Sequence, residues 1–155
     1  MKAFFGLGAL AALCNSVYGL TSGTYTIESV ISQGNLALTA HSSSPGIPLD
    51  FTEKHGDKSQ IWDFHAITDD ADNKYFTVRN LRGAYIDCGT EQGSSCVTGQ
   101  RSQAFTPEFV GDGKYELVAE NSGYFLRSSD DGQLLLDGYD GSDSERFFLR
   151  PAQGQ

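Results

Sequence analysis

One stretch near the C-terminus sets an aromatic ring between two carboxylates: Asp137-Gly138-Tyr139-Asp140-Gly141. A glycine-flanked loop of this kind can offer a flat face to the apolar side of a sugar ring while its acids take the ring hydroxyls in fixed directions. The same residues also suit an ordinary hairpin turn, which Asp-Gly pairs favour, with Tyr139 covering a neighbouring strand. Asp87 is a second acid of interest; its bland role is to cap a turn beside Cys88. Asp137, Asp140, Asp143 and Glu145 are rich in oxygen ligands for calcium, but the spacing of an EF-hand is absent, so no metal is assigned.

Other chemistry is poorly supplied. His41, His55 and His65 have no Cys, Asp or Glu at a metal-ligand spacing, and there is no Gly-x-Ser-x-Gly, His-Glu-x-x-His or phosphate-cradling glycine loop. Nothing among the acids singles out a pair for glycoside hydrolysis. His65 follows Trp62 on a strand pattern and is assigned a structural role. We expect no enzyme and no cofactor.

The N-terminus reads as a secretory leader over 1–19: Lys2 gives a positive start, Ala3 to Leu13 is an apolar run of 11 residues, and Val17-Tyr18-Gly19 offers small residues for cleavage. Such a run falls well short of the roughly 20 residues that span a bilayer, so no membrane insertion is expected. Cleavage after Gly19 would leave 136 residues, a length suited to one domain. Losing Lys2 moves the net charge from −9 to −10, which opposes nucleic acid and anionic membrane surfaces as partners. Cys88 and Cys96 then remain, and in an oxidising compartment so close a pair predicts a disulfide, contributing about 2.5 kcal/mol on the chain-entropy account.

The elements that must position these groups are strands. Thr24-Tyr25-Thr26-Ile27, Tyr75-Phe76-Thr77-Val78 and Tyr115-Glu116-Leu117-Val118 alternate, are rich in aromatic and β-branched residues, and are bounded by Gly, Asp, Asn and Ser. No long window carries the i, i+3, i+4, i+7 pattern of an amphipathic helix, so the class is all-β. Three segments share a pattern: Ser59-Gln60-Ile61-Trp62, Ser102-Gln103-Ala104-Phe105 and Ser144-Glu145-Arg146-Phe147, spaced 43 and 42 residues apart. Each follows a paired apolar step, Ala37-Leu38, Tyr85-Ile86 or Phe125-Leu126, and each step follows one of the strands above. A unit of about 40 residues with four short strands cannot bury its own apolar face, so three units must share one core and close their edges against one another.

With these motifs the chain resembles the ricin B-type, or QxW, β-trefoil lectins over residues 21 to 151, with repeats at about 21–70, 71–111 and 112–151. Gly23-Thr24-Tyr25-Thr26-Ile27, Asn35-Leu36-Ala37-Leu38-Thr39 and Ser59-Gln60-Ile61-Trp62 look most like small secreted fungal lectins, and are similar also to mushroom protease inhibitors of the same fold. The resemblance implies that Trp62, Phe105 and Phe147 fill the core, while Gln60, Gln103 and Glu145 bond turn backbone. It departs from the pattern where Phe105 and Phe147 replace Trp and where Glu145 replaces Gln.

In the family an aspartate follows the second apolar step and an aromatic comes from the later hairpin loop; here that first position holds Thr39, Asp87 and Arg127. Asp87 is thus a half-site, because its following loop from Gly89 to Arg101 has no aromatic residue. The third unit, with Asp137, Tyr139, Asp140 and Arg127 near them, is better provided. What the resemblance implies is a secreted, non-catalytic protein that binds a glycan or glycoprotein. Alternatives are a protease inhibitor acting through the long 40–58 connection, which contains Pro45, Pro48, Phe51 and His55, or a secreted protein that binds another protein.

Overall fold

The computed structural model describes residues 19–152; the expected leader, 1–19, lies outside them apart from Gly19. The first unit contributes β1 (Gly23–Ser29), β2 (Leu36–Thr39), β3 (Asp50–Glu53) and β4 (Trp62–Thr68). The second contributes β5 (Lys74–Asn80), β6 (Tyr85–Asp87), β7 (Val97–Gly99) and β8 (Ala104–Gly111). The third contributes β9 (Lys114–Ala119), β10 (Phe125–Ser128), β11 (Leu134–Asp137) and β12 (Phe147–Pro151). The helical content of the described residues is two single 3-10 turns, Lys58–Gln60 and Asp143–Glu145.

The first and last strands of the units pair antiparallel in a closed ring: β1 with β4, β4 with β5, β5 with β8, β8 with β9, β9 with β12, and β12 back to β1. A ring of six strands has no free edge. The middle strands form three hairpins, β2–β3, β6–β7 and β10–β11. Bridges at Pro48 to Val97, Asp50 to Gln133 and Ser95 to Leu135 join each hairpin to the other two.

Alternation along the ring strands aims one face inward, so Tyr25, Ile27, Trp62, Phe64, Phe76, Val78, Phe105, Leu117 and Phe147 meet in one core. Trp62 is 0% exposed, and its indole N–H donates to the Leu38 carbonyl at 3.0 Å, tying barrel to hairpin. Phe51 stacks on Phe147 with ring centroids 5.7 Å apart. This corrects the reading of 40–58 as one long loop. β3 lies inside it, Leu49 and Phe51 are buried, and the irregular remainder is split into 40–49, pinned by Gly46 and Thr98, and 54–57.

Cys88 and Cys96 are bridged across the end of the β6–β7 hairpin, and both are buried. We expect alkylation of the folded 20–155 chain without reduction to leave its mass unchanged; a gain of two adducts would show free thiols.

Candidate functional site

The glutamine positions of the repeat set the turns on which any site is built. Gln60, buried at the end of its 3-10 turn, accepts at Oε1 from the His55 and Gly56 amides at 2.8 and 3.0 Å. Its Nε2 donates to the Glu53 carbonyl at 2.8 Å and to the hydroxyls of Thr39 and Thr52. Gln103 accepts from the Cys88 amide at 2.8 Å and donates to the Gly89 carbonyl and the Asn121 side chain. Glu145 accepts at Oε1 from the Asp140 and Gly141 amides at 2.9 and 3.2 Å. Gln103 holds the residues just after β6, inside its hairpin, whereas Gln60 and Glu145 hold the backbone that leads out of theirs.

In the third unit that backbone carries the candidate site. Arg127, on β10, sends Nη1 to Asp137 Oδ2 at 3.1 Å and to Asp140 Oδ2 at 2.9 Å, so the three side chains expected near one another do meet. All three are partly exposed, and such pairs add little to stability, but they fix the direction of the carboxylates. Asp137 also accepts from Gln92 Nε2 at 2.9 Å and from the Gly138 amide. These bonds, Gln92 first and then Gly138, with the Arg127 charge, hold its carboxyl below the ordinary value. Asp140 is brought down to about 2, chiefly by hydrogen bonds from Ser142 and further by Glu145 and Arg127. Both acids are therefore anionic acceptors at neutral pH, and Asp140 is the more exposed.

Tyr139 sits at the tip of this loop, 61% exposed, with one side leaning on the Phe125 ring at 5.0 Å between centroids and 49° between planes. It covers a neighbouring strand on one side, as a hairpin tyrosine can, and leaves the remainder of the ring to solvent. Gly141, at φ +71, lets the chain turn beneath the tyrosine, and a Cβ there would lie 3.2 Å from its hydroxyl. Asp143 does not join the other acids; it faces Arg146 at 3.7 Å. Among the described residues no three His, Cys, Asp or Glu side chains converge as metal ligands.

Gln92 and Phe125 complete the arrangement, and neither was singled out as a site residue from the sequence. Gln92 belongs to the disulfide-closed loop of the second unit and reaches Asp137 across 45 residues of sequence. Backbone bonds from Gly93 to Leu136, Cys96 to Leu134 and Leu136 to Ser94 lock that loop against β11. No local pattern announces such a contact. Phe125 was visible as part of an apolar step but not as the support of Tyr139.

Asp87 stands apart from this cluster. Its Oδ1 accepts from the Gly89 amide at 3.2 Å, the turn-capping role, and its side chain lies over Gly99, where an added Cβ would come within 2.7 Å of the Asp87 Cβ. It also borders a surface cavity of about 460 Å³ with Arg101, Gln103, Glu120 and Asn121, and no aromatic ring is among the cavity's lining residues. The corresponding hollow of the first unit, about 330 Å³, is edged by Thr39, His41, His55, Asp57 and Arg82. There His41 pairs with Asp50 at 2.6 Å and His55 with Asp57 at 3.3 Å. His65 lies on β4 with its side chain exposed, so it takes no part in the core.

A closed six-stranded ring, three hairpins joined in a triangle and a thrice-repeated four-strand unit define a β-trefoil. Neither a protein-family model nor a curated protein sequence matches the chain. Solved structures do. A designed threefold-symmetric protein, ThreeFoil, is 24% identical with a TM-score of 0.72, over 83% of this chain and 98% of that one. The Rhizoctonia solani agglutinin is 16% identical with a TM-score of 0.75, over 86% and 97%. The Macrolepiota procera ricin B-like lectin, solved with lactose, is 16% identical with a TM-score of 0.68, over 85% and 98%. At these identities the likeness is one of fold.

Proposed function

We propose that the chain is a secreted, non-catalytic carbohydrate-binding protein whose principal site is the third-unit platform of Tyr139, Asp137, Asp140, Arg127 and Gln92. The observation that carries this reading is an exposed tyrosine face held between two anionic acceptors and a guanidinium, on a loop fixed from below by Glu145 and from the side by the disulfide-closed loop. An aromatic face with directional acceptors suits a sugar ring. The lactose complex of the Macrolepiota procera lectin supports the reading by analogy of fold. The leader pattern of 1–19 and the Cys88–Cys96 bridge support secretion. A shallow platform buries little ligand surface, so weak affinity per site is expected. Asp87 and its cavity are the second place a glycan could be held, through hydrogen bonds without stacking.

A glycan array run beside a panel of cysteine and serine proteases tests the reading. Binding to at least one glycan class with no protease inhibited is the expected outcome; inhibition without glycan binding would favour the inhibitor alternative. Within the site, Gln92→Ala removes one donor from Asp137 and leaves the fold intact. We expect it to weaken glycan binding by roughly three- to tenfold, the worth of one hydrogen bond of about 1 kcal/mol, as read by calorimetry.

A further inference from the structure

The three equivalent amide positions are not chemically equal. Gln60 and Gln103 each offer one oxygen to backbone amides and one NH2 group to acceptors, and each has partners at both ends. Glu145 offers its Oε1 to the Asp140 and Gly141 amides in the same way, but its Oε2 is buried and has no hydrogen-bond partner. The residue is 0% exposed. An ionised oxygen so placed is desolvated without compensation, whereas a protonated one becomes a donor, as Nε2 is in Gln60.

We infer that Glu145 is a positioning residue that works as a proton-operated clasp on the 138–142 loop: protonated, it holds Tyr139 and Asp140 in the binding arrangement, and on losing its proton it releases them. The inference rests on the reading of that loop as the ligand site. Burial above all, then the negative charge of Asp140 and the interaction of the two carboxyls, push the Glu145 carboxyl above its ordinary 4.5, against the pull of the bonds from the Asp140 and Gly141 amides, which lower it. The other ionisable groups around it are Asp137 and Tyr139 beside Asp140 on the hairpin side, Arg127 on β10, Asp143 in its own turn, and Arg146, which pairs with buried Glu116 of β9. Arg127 bonds Asp137 and Asp140, and Arg146 faces Glu116 and Asp143 at 3.5 and 3.7 Å without a hydrogen bond from its Nε, so neither cation satisfies the Glu145 Oε2.

The sign follows from the raised value. The folded loop keeps a proton that the released loop gives up, so the clasp is complete at and below the ordinary carboxyl value and is lost as pH rises through the folded one. One proton coupled to the loop changes its closing equilibrium by at most about tenfold per pH unit.

Glu145→Gln restores the chemistry of the other two units and is the decisive variant. Amide exchange protection at Asp140 and Gly141, measured against His55 and Gly56 as internal standards, should fall by on the order of tenfold in the wild type as pH rises through the Glu145 titration, and stay level in the variant. Lactose titration of both proteins should show affinity declining over the same range only in the wild type. Protection that is level in the wild type, or a carbon-13 titration of the Glu145 carboxyl at its ordinary value, would overturn the clasp. If protection responds as expected and no glycan binds at any pH, the clasp stands and the reading of the site as a glycan platform fails.

Discussion

Tyr139→Ala is expected to abolish glycan binding at the third-unit site while leaving the fold intact. On the function proposed above, the tyrosine supplies the stacking face, and the acids and arginine beside it orient hydroxyls that would have nothing to rest on once the ring is gone. The ring leans on Phe125 alone among the aromatic pairs and is mostly solvated, so its loss should change stability by less than about 1 kcal/mol. Asp140→Asn should weaken binding less, because an amide oxygen still accepts and only the charge-assisted part of the bond with Arg127 is lost. Calorimetry for binding and circular dichroism for melting, on both variants, read the two effects separately. Undiminished binding in Tyr139→Ala would move the site to Asp87 and its cavity; a collapse of the fold would make the tyrosine a structural cover for β10.

The second large effect is on stability. Trp62→Ala removes the largest fully buried side chain, one that packs against both the ring strands and the hairpin triangle and whose N–H satisfies the Leu38 carbonyl. The truncation should cost about 3 to 5 kcal/mol from lost transfer energy and the cavity left behind. An orphaned carbonyl adds to that, since a buried acceptor without a partner is itself unfavourable. For a domain whose total stability is on the order of 5 to 15 kcal/mol, the yield of folded protein should drop sharply, and the melting midpoint of what is recovered should fall well below that of the wild type. An unchanged midpoint would refute the shared core. Phe105→Ala and Phe147→Ala, at the equivalent positions, should follow the same course.

Much of the architecture was legible because its signals are local. Alternation in Tyr25 to Ile27, Tyr75 to Val78 and Tyr115 to Val118 marks strands, since side chains one residue apart must face opposite ways. The three Gln-x-aromatic steps mark the return of each unit to the core, and two cysteines eight residues apart can reach each other in a hairpin. β3 escaped because Asp50-Phe51-Thr52-Glu53 has a single apolar residue to show; it is a strand by virtue of pairing with β2 and seating Phe51 on Phe147.

By itself, then, the amino-acid sequence determined the class, the three-unit plan, the core aromatics, the disulfide and the residues from which a third-unit site is drawn. Only tertiary structure decided how those residues are used. Arg127 stands between Asp137 and Asp140 because β10 pairs with β11 and the loop beyond folds back over them. Gln92 enters from another unit because the hairpin triangle brings the disulfide-closed loop to β11. Glu145 keeps one oxygen without a partner because the chain around it closes completely. Such contacts depend on which distant segments meet and on how much water is expelled when they do, and neither quantity is written in the spacing of residues along the chain.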